Sequence, residues 1–338
     1  MDLLLTQESY HDLSKLNLSL LEKDPARLEM ILDAKEIPLR VLTHNIRYAT
    51  SSPFKGERPW GERAPRLLNE LRYNTRNQDA FICLQEVLDN QLIDILSGLN
   101  SSDSDMLPGT VAGNSNQNWA YIGVGRDDGY KAGEYSPIIY RPSVWELRHW
   151  ETAWLSETPE VPSKSWDAAS IRIVTIGVFT HHVSRQTVLA LNTHLDDQGS
   201  RSRFEAAHII LRKIADYRAG RFGHIISGVF LAGDLNSEET QEAHTVLTAP
   251  ESPLLDSATL VDTADYYGNN TTWTGFGYEE QNPSRIDYIL LGPAVNVEDR
   301  RRDLPWSIEG YAVLANRFDD GVFNSDHRAV VVDAKLRH

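Results

Sequence analysis

Two kinds of hydrophobic run organise the chain. Short continuous apolar stretches bounded by glycine, proline or polar turns read as buried strands. They occupy residues 39–45, 80–84, 119–125, 136–141, 145–154, 171–180, 187–193, 228–232, 285–291, 306–314 and 329–334. Between them, apolar residues at helical spacing predict amphipathic helices. Leu67, Leu68 and Leu71 mark one over 63–76, a second covers 89–99, Phe204, Ala207, Ile210, Leu211 and Ile214 mark one over 201–217, and another covers 239–248. Residues 1–36 read as an appended helical arm. Leu13, Leu16 and Leu20 share a face, and Asp24-Pro25 caps a second short helix carrying Leu28, Ile31 and Leu32. The segments 51–61, 100–118, 155–169 and the stretch around 264–284 are rich in turn residues and read as loops.

Each half of the core pattern mixes strands with helices, and no internal repeat is present. The expectation is an α+β sandwich, two packed mixed β-sheets flanked by helices, formed by one domain over 37–338 with the arm 1–36 in front. With 338 residues and 41% hydrophobic content, a large core is within reach. The charge balance is 33 − 48 = −15, a field that repels polyanions and argues against tight non-specific binding of duplex DNA. The single Cys83 lies in the apolar run Ala80-Phe81-Ile82-Cys83-Leu84 and reads as a buried structural thiol. No signal peptide or membrane-spanning run is seen, so the expected location is cytoplasmic, with no membrane partner.

Candidate chemistry sits where strands end. The run 228–232 delivers Asp234 and Asn236, a carboxylate and a carboxamide that suit orienting a water beside a phosphoryl oxygen. Asn45, Glu86, Asn192 with His194, and Asp287, Asp326 and His327 stand at other strand ends or starts. Taken singly, each is as easily a turn former, a cap or a solvated loop residue. What carries weight is the recurrence of one device, an apolar strand aimed at a polar group able to ionise or ligate.

The motifs Thr43-His44-Asn45, Gln85-Glu86, Asn192-Thr193-His194-Leu195, Gly233-Asp234-Leu235-Asn236, Arg285-Ile286-Asp287-Tyr288 and Ser325-Asp326-His327 follow one another in the order of the endonuclease/exonuclease/phosphatase superfamily. Over about residues 39–337 the chain resembles that superfamily and its deoxyribonuclease-I-like fold. Four further segments, 125–129, 133–137, 154–159 and 166–169, resemble a largely uncharacterised subgroup. The resemblance implies a divalent-metal-dependent phosphoesterase, with water attacking in line. Glu86, Asn45 and Asp326 are the implied metal ligands, for Mg²⁺ with Mn²⁺ as the alternative. The implied catalytic set is His194, a cation-capable donor, Asp234 and Asn236, which place the water, and Asp287 paired with His327. Arg126, Asp127 and Glu134 in the subgroup segments, with Asn192, Tyr140 and Trp273, are the expected substrate contacts. Of the tryptophans beside loops, Trp60, Trp119, Trp166 and Trp273, each suits stacking a base or sugar and equally suits plugging local core. Some repair-type members carry an Asp two residues after the position of Asn45. Arg47 stands there instead, suited to contacting substrate phosphate and equally to being a plain surface residue, and the missing carboxylate argues against a second metal and an abasic-site activity.

The expected partner is a phosphorylated small molecule or a short single-stranded nucleic acid. A 3′–5′ RNA exonuclease or other nuclease of the superfamily is one alternative, and a non-catalytic binding module on the same fold another. A serine acyl hydrolase lacks its Gly-x-Ser-x-Gly elbow.

Overall fold

The structure, a computed structural model, describes residues 36–76, 79–101, 118–277, 282–294 and 299–337. The arm expected over 1–36, apart from Glu36, and most of the loop expected over 100–118 lie outside the described residues.

Two sheets face each other. The first has seven strands: β1 (Ile37–Asn45), β2 (Ala80–Gln85), β3 (Ala120–Ile122), β4 (Ile138–Tyr140), β10 (Tyr266–Gly268), β12 (Trp306–Val313) and β13 (Val330–Leu336), in the order β10-β12-β13-β1-β2-β4-β3. The second has six: β5 (Trp145–Trp154), β6 (Ile173–His181), β7 (Thr187–His194), β8 (Ile226–Asp234), β9 (Leu255–Asp256) and β11 (Asp287–Gly292), in the order β5-β6-β7-β8-β11-β9. Both are mixed, since β1 pairs parallel with β2 and antiparallel with β13, while β7 pairs parallel with β8 and antiparallel with β6. Helices α1 (Trp60–Thr75) and α2 (Asp89–Asn100) cover the outside of the first sheet, and α3 (Ser200–Ala219) and α4 (Glu242–Thr248) cover the second. A single turn, α5 (Arg300–Asp303), precedes β12. Among the described residues no helix is long and apolar enough to cross a membrane.

The continuous apolar runs follow from burial on both faces. Along β1, Ile37, Leu39 and Val41 enter the core between the sheets, while Leu42 packs outward under the helices. In β2, Phe81 and Cys83 point inward and Ile82 and Leu84 outward; in β8, Phe230 and Ala232 inward and Val229 and Leu231 outward. Burial pushes the Cys83 thiol pKa far up, as its apolar run implied. The strand expected over 228–232 is longer than its apolar stretch, because pairing with β7 and β11 continues through both ends.

Strand phase builds the site. Continuing the inward set of each strand by steps of two reaches Asn45 on β1, Gln85 on β2, Asn192 and His194 on β7, Asp234 on β8 and Asp287 on β11. One end of the inter-sheet core is therefore polar where the rest is apolar, and all of these side chains are buried.

Candidate functional site

The polar end holds two linked clusters. The first is built on Asp287, His327 and Asp234. Asp287 opens β11, and its backbone N–H and that of Ile286 donate to Thr272 Oγ1. Its Oδ2 accepts from His327 Nδ1 at 2.9 Å, and its Oδ1 is buried with no hydrogen-bond partner. The other imidazole nitrogen, Nε2, faces Asp234 Oδ2 at 3.8 Å. The His327 ring thus lies between two carboxylates. Burial works against its charge, but the charge and hydrogen bond of Asp287, then Asp234 and Asp326, outweigh it and raise the pKa to about 10. Asp234 goes the other way for a carboxylate: burial, then the charge of Asp287, push it up to about 7, against His327 and Asn45. One nitrogen of His327 and one oxygen from each aspartate lie within 4.8 Å of one another, a spacing that suits an ion. The imidazolium already supplies the cation there.

The second cluster surrounds Glu86, the residue after β2. Asn45 Nδ2 donates to Glu86 Oε1 at 3.0 Å and to Asp234 Oδ2 at 2.9 Å, joining the two clusters. Its Oδ1 accepts from the Arg47 backbone N–H. Asn45, expected as a metal ligand, therefore presents its NH₂ to both carboxylates and acts as their link, with its oxygen engaged elsewhere. Glu86 Oε2 accepts from Tyr48 N at 3.2 Å and stands 3.6 Å from Arg47 Nη1. Asp326 is buried, and burial followed by the charge of Glu86 raises its pKa, against His327 and Arg47. Two hard-oxygen carboxylates, with the charge of Glu86 disfavouring that of Asp326, fit a divalent cation held between them.

Backbone strain gathers here. Arg47 (φ 57°), Glu86 (φ 58°) and Asn236 (φ 45°) all adopt the left-handed conformation, which costs a non-glycine residue about 1–3 kcal/mol each unless its surroundings hold it. Asn236 is held by Asp234 Oδ1, which accepts its backbone N–H at 2.9 Å; this turn, rather than strand alternation, brings the two side chains together. Gly233 precedes them at φ 146°, and a methyl group there would collide with the Thr193 carbonyl, so β8 approaches β7 as closely as it does only with glycine.

His194 departs from its expected role as a cationic donor. Asn236 Nδ2 donates to Leu195 O at 2.9 Å and faces His194 Nε2 at 3.1 Å, making that nitrogen an acceptor. Burial, then the charges of Arg172, Arg126 and His327, hold its pKa well below the ordinary range, which disfavours the charged ring. Nδ1 faces Glu134 Oε2 at 3.8 Å, and Glu134 accepts from Arg126 Nη1 at 2.8 Å. Burial, then the charge of Glu86, lift Glu134 to about 7, against Arg126 and Arg172. Arg126 and Glu134 thus border the site as expected, whereas the Asp127 side chain is half exposed on the same turn.

Two expected substrate contacts are corrected. Asn192 is wholly buried and spends its carboxamide between the sheets, accepting from Gln85 Nε2 at 2.7 Å and donating to Leu84 O and Pro137 O at 2.8 Å. Tyr140 lies in the inter-sheet core, 4.8 Å from the Phe179 ring. Trp273 is half-buried, and its backbone pairs with Ser284 and bridges to His327, so it aligns the segment carrying the histidine. Of the other tryptophans, Trp119 is buried beneath Arg141 and plugs the outer core, Trp166 packs on the α3 side, and Trp60 donates to Asp94.

Sequence reasoning missed several supports. Arg47, read as a phosphate contact or a surface residue, is buried and paired with Glu57 at 3.3 Å. His44 joins Glu70 (2.9 Å) to the His327 carbonyl (3.1 Å), and Ser325 Oγ donates to Asn45 O at 2.6 Å. Arg172 lies close enough to influence both His194 and Glu134. His44 and Ser325 lie inside the motifs Thr43-His44-Asn45 and Ser325-Asp326-His327, which gave them no role, and Arg172 carries no local signal.

A two-sheet sandwich thus gathers carboxylates, imidazoles and amides at one end. Residues 42–327 match the Endonuclease/Exonuclease/phosphatase family, and the chain belongs to it. Its fold is the deoxyribonuclease-I-like fold of that family, whose members hydrolyse phosphoester bonds. Among solved structures, a family member from Bacteroides vulgatus is 27% identical, with 89% of this chain and 99% of that one covered at a TM-score of 0.71. A mannosyl-6-phosphatase from Bacteroides thetaiotaomicron is 30% identical, covering 88% and 99% at 0.69. The human Nocturnin catalytic domain, 16% identical with 88% and 94% covered at 0.58, shares the fold. No curated protein matches the sequence.

Proposed function

We propose that this protein is a divalent-metal-dependent phosphoesterase acting on a phosphorylated small molecule, a sugar phosphate in the first instance. The observation that carries the reading is the run of contacts from Asp287 through His327 and Asp234 to Asn45 and Glu86. It supports assigning an acid, a base and a metal carboxylate to one connected run of side chains, buried except at Glu86. The bound cation, Mg²⁺ or Mn²⁺, would be held by Glu86 and Asp326 and would supply positive charge to the phosphoryl oxygens. Asp234, ionised above about pH 7, takes a proton from the attacking water, and Asn236 orients that water. His327, kept protonated by Asp287, donates to a phosphoryl oxygen as charge develops. The neutral His194 offers Nδ1–H on the side bordered by Glu134 and Arg126.

The sugar phosphate is favoured by likeness over nearly the whole chain to a mannosyl-6-phosphatase. The charge of −15 disfavours long polyanions. The test is hydrolysis of sugar phosphates, bis-p-nitrophenyl phosphate and single-stranded RNA with Mg²⁺, Mn²⁺ or a chelator. Sugar phosphates should turn over with metal alone, and Glu86→Gln should need far more metal for the same rate. Turnover undiminished by chelation contradicts the metal role, and RNA as the preferred substrate contradicts the sugar assignment.

A further inference from the structure

We propose that the arm of residues 1–35 docks in a groove on the outer face of the first sheet, beside α1. Among the described residues, the helices leave part of that face open. Along β12 and β13 the inward residues are Tyr311, Val313, Val330 and Val332, so Ala312 and Val331 point outward. With Leu314 they line a groove of about 1400 Å³ that runs between α1 and the β10 edge. Three exposed aromatic rings line it too: Tyr73 of α1 at 70%, Tyr267 of β10 at 73% and Phe318 at 58%. One such ring on a surface needs no explanation, but three around one apolar groove mark a surface that something covers.

Size, position and composition name the occupant. Small-ligand sites hold about 300–1,000 Å³, and this groove exceeds that range, which suits a polypeptide. Arg40 of β1 lines it and stands about 10 Å along the strand from Ile37, so the arm joins β1 close by. A helix over 25–35 is about 16 Å long, enough to lay Leu28, Ile31 and Leu32 along the groove once the chain turns back. Ten of the first 35 residues are leucine, an apolar content that calls for cover. Charge agrees. Four basic and seven acidic residues give the arm 4 − 7 = −3. Five arginines and three carboxylates among the described lining residues give the groove 5 − 3 = +2, against −15 for the chain. The other candidate segment, 102–117, borders the groove through Ser101 and Asn118, but it carries Pro108, Gly109 and Gly113 in place of an apolar helical face. The groove faces away from the inter-sheet site, so docking steadies the fold without entering the chemistry.

Maleimide labelling of the full chain tests the docking. Cys83 is wholly buried and stays silent while the chain is folded, so Ala315→Cys, at an exposed position lining the groove, adds a reporter thiol. That thiol should react slowly beside an unaltered arm. Leu28→Gln/Ile31→Gln/Leu32→Gln removes the apolar face and keeps good helix formers. It should speed the reaction by about tenfold or more, the scale of one buried aliphatic side chain lost, with Cys83 still silent. Should Cys83 react as well, the triple variant has unfolded, and Ile31→Gln alone carries the comparison. Equal rates with the altered and unaltered arm overturn the proposal, as does a reporter that reacts as fast as free cysteine beside the unaltered arm. Protection that grows with protein concentration makes a second copy of the chain the occupant. Protection lost on Met106→Gln/Leu107→Gln but kept in the arm variants makes 102–117 the occupant. Either result overturns the arm.

Discussion

The Asp287–His327 contact shows how a pair of side chains fixes the chemistry of a third. At 2.9 Å the carboxylate holds His327 charged, and the charge of Asp287 also helps raise Asp234 to about 7. One residue thus prepares both an acid and a base. Asp287→Asn should lower kcat on the order of 10²-fold, the contribution of a positioned acid or base. The double variant Asp287→Asn/His327→Ala should lose far less than the product of the single losses, as steady-state kinetics of the four proteins will show. Multiplicative losses would mean that the two act independently. The pH profile follows with its signs. Asp234 works ionised, and because its pKa is raised, kcat/KM should fall as pH drops through about 7. His327 works protonated, and because its pKa is raised, kcat/KM should fall again only as pH climbs through about 10. A bound cation draws both limbs to lower pH. A profile without two limbs excludes this division of labour. Asp234 and His327 stood out within Gly233-Asp234-Leu235-Asn236 and Ser325-Asp326-His327, but the motifs left open which of them would carry a proton. The lowered pKa of His194 was not legible, because it depends first on burial and then on the charges of Arg172, Arg126 and His327 from other elements.

Among the elements, β9 and α4 are held to the end of the second sheet by one buried carboxylate. Asp256 accepts from both terminal nitrogens of Arg285, at 2.7 and 2.8 Å, and faces His244 Nε2 at 3.1 Å. Arg285 in turn lies 4.5 Å from the Tyr288 ring. Removing one partner of such a buried set strands the others, so Asp256→Ala should cost about 3–5 kcal/mol in urea denaturation. Burial raises the Asp256 pKa, but the hydrogen bonds from His244 and Arg285 outweigh it and leave it below the usual carboxylate value. The stability from this group is therefore complete above the ordinary carboxylate range and is lost as pH falls through the lowered folded pKa. An acid limb of the unfolding curve unchanged in the variant would show that the carboxylate is not its source. Apolar runs marked most strands to within a few residues. The helix expected over 239–248 begins only at Glu242, because the 237–241 stretch is a turn held by Gln241 Oε1 accepting from Glu238 N. The segment 119–125 forms strand only over Ala120–Ile122, since beyond it the backbone turns to make room for the Arg126–Glu134 wall.

For the molecule as a whole, the pairing of Ile37 with Leu336 marks where the sandwich begins, and every residue placed in the site lies after it. Removing residues 1–35 should leave kcat per folded molecule unchanged, measured beside the thermal midpoint to separate chemistry from stability. A folded truncation without turnover would mean that the arm completes the site. By itself the sequence determined the two-sheet sandwich, the buried Cys83, the family and the strand ends at which the polar side chains gather. It could do so because these rest on local period, on strand ends and on short motifs, all of which are written along the chain. Only the tertiary structure decided how those residues divide their work. Asn45 became a link between carboxylates, Asn192 a fastening between sheets, Tyr140 part of the core, and Arg47 a buried cation paired with Glu57. Each of these roles depends on which partner faces the side chain once the chain has folded. Most of the partners lie about forty to two hundred residues away in the chain and leave no local signature, and the burial that shifts Asp234, Asp326, His194 and His327 exists only once the sheets have closed.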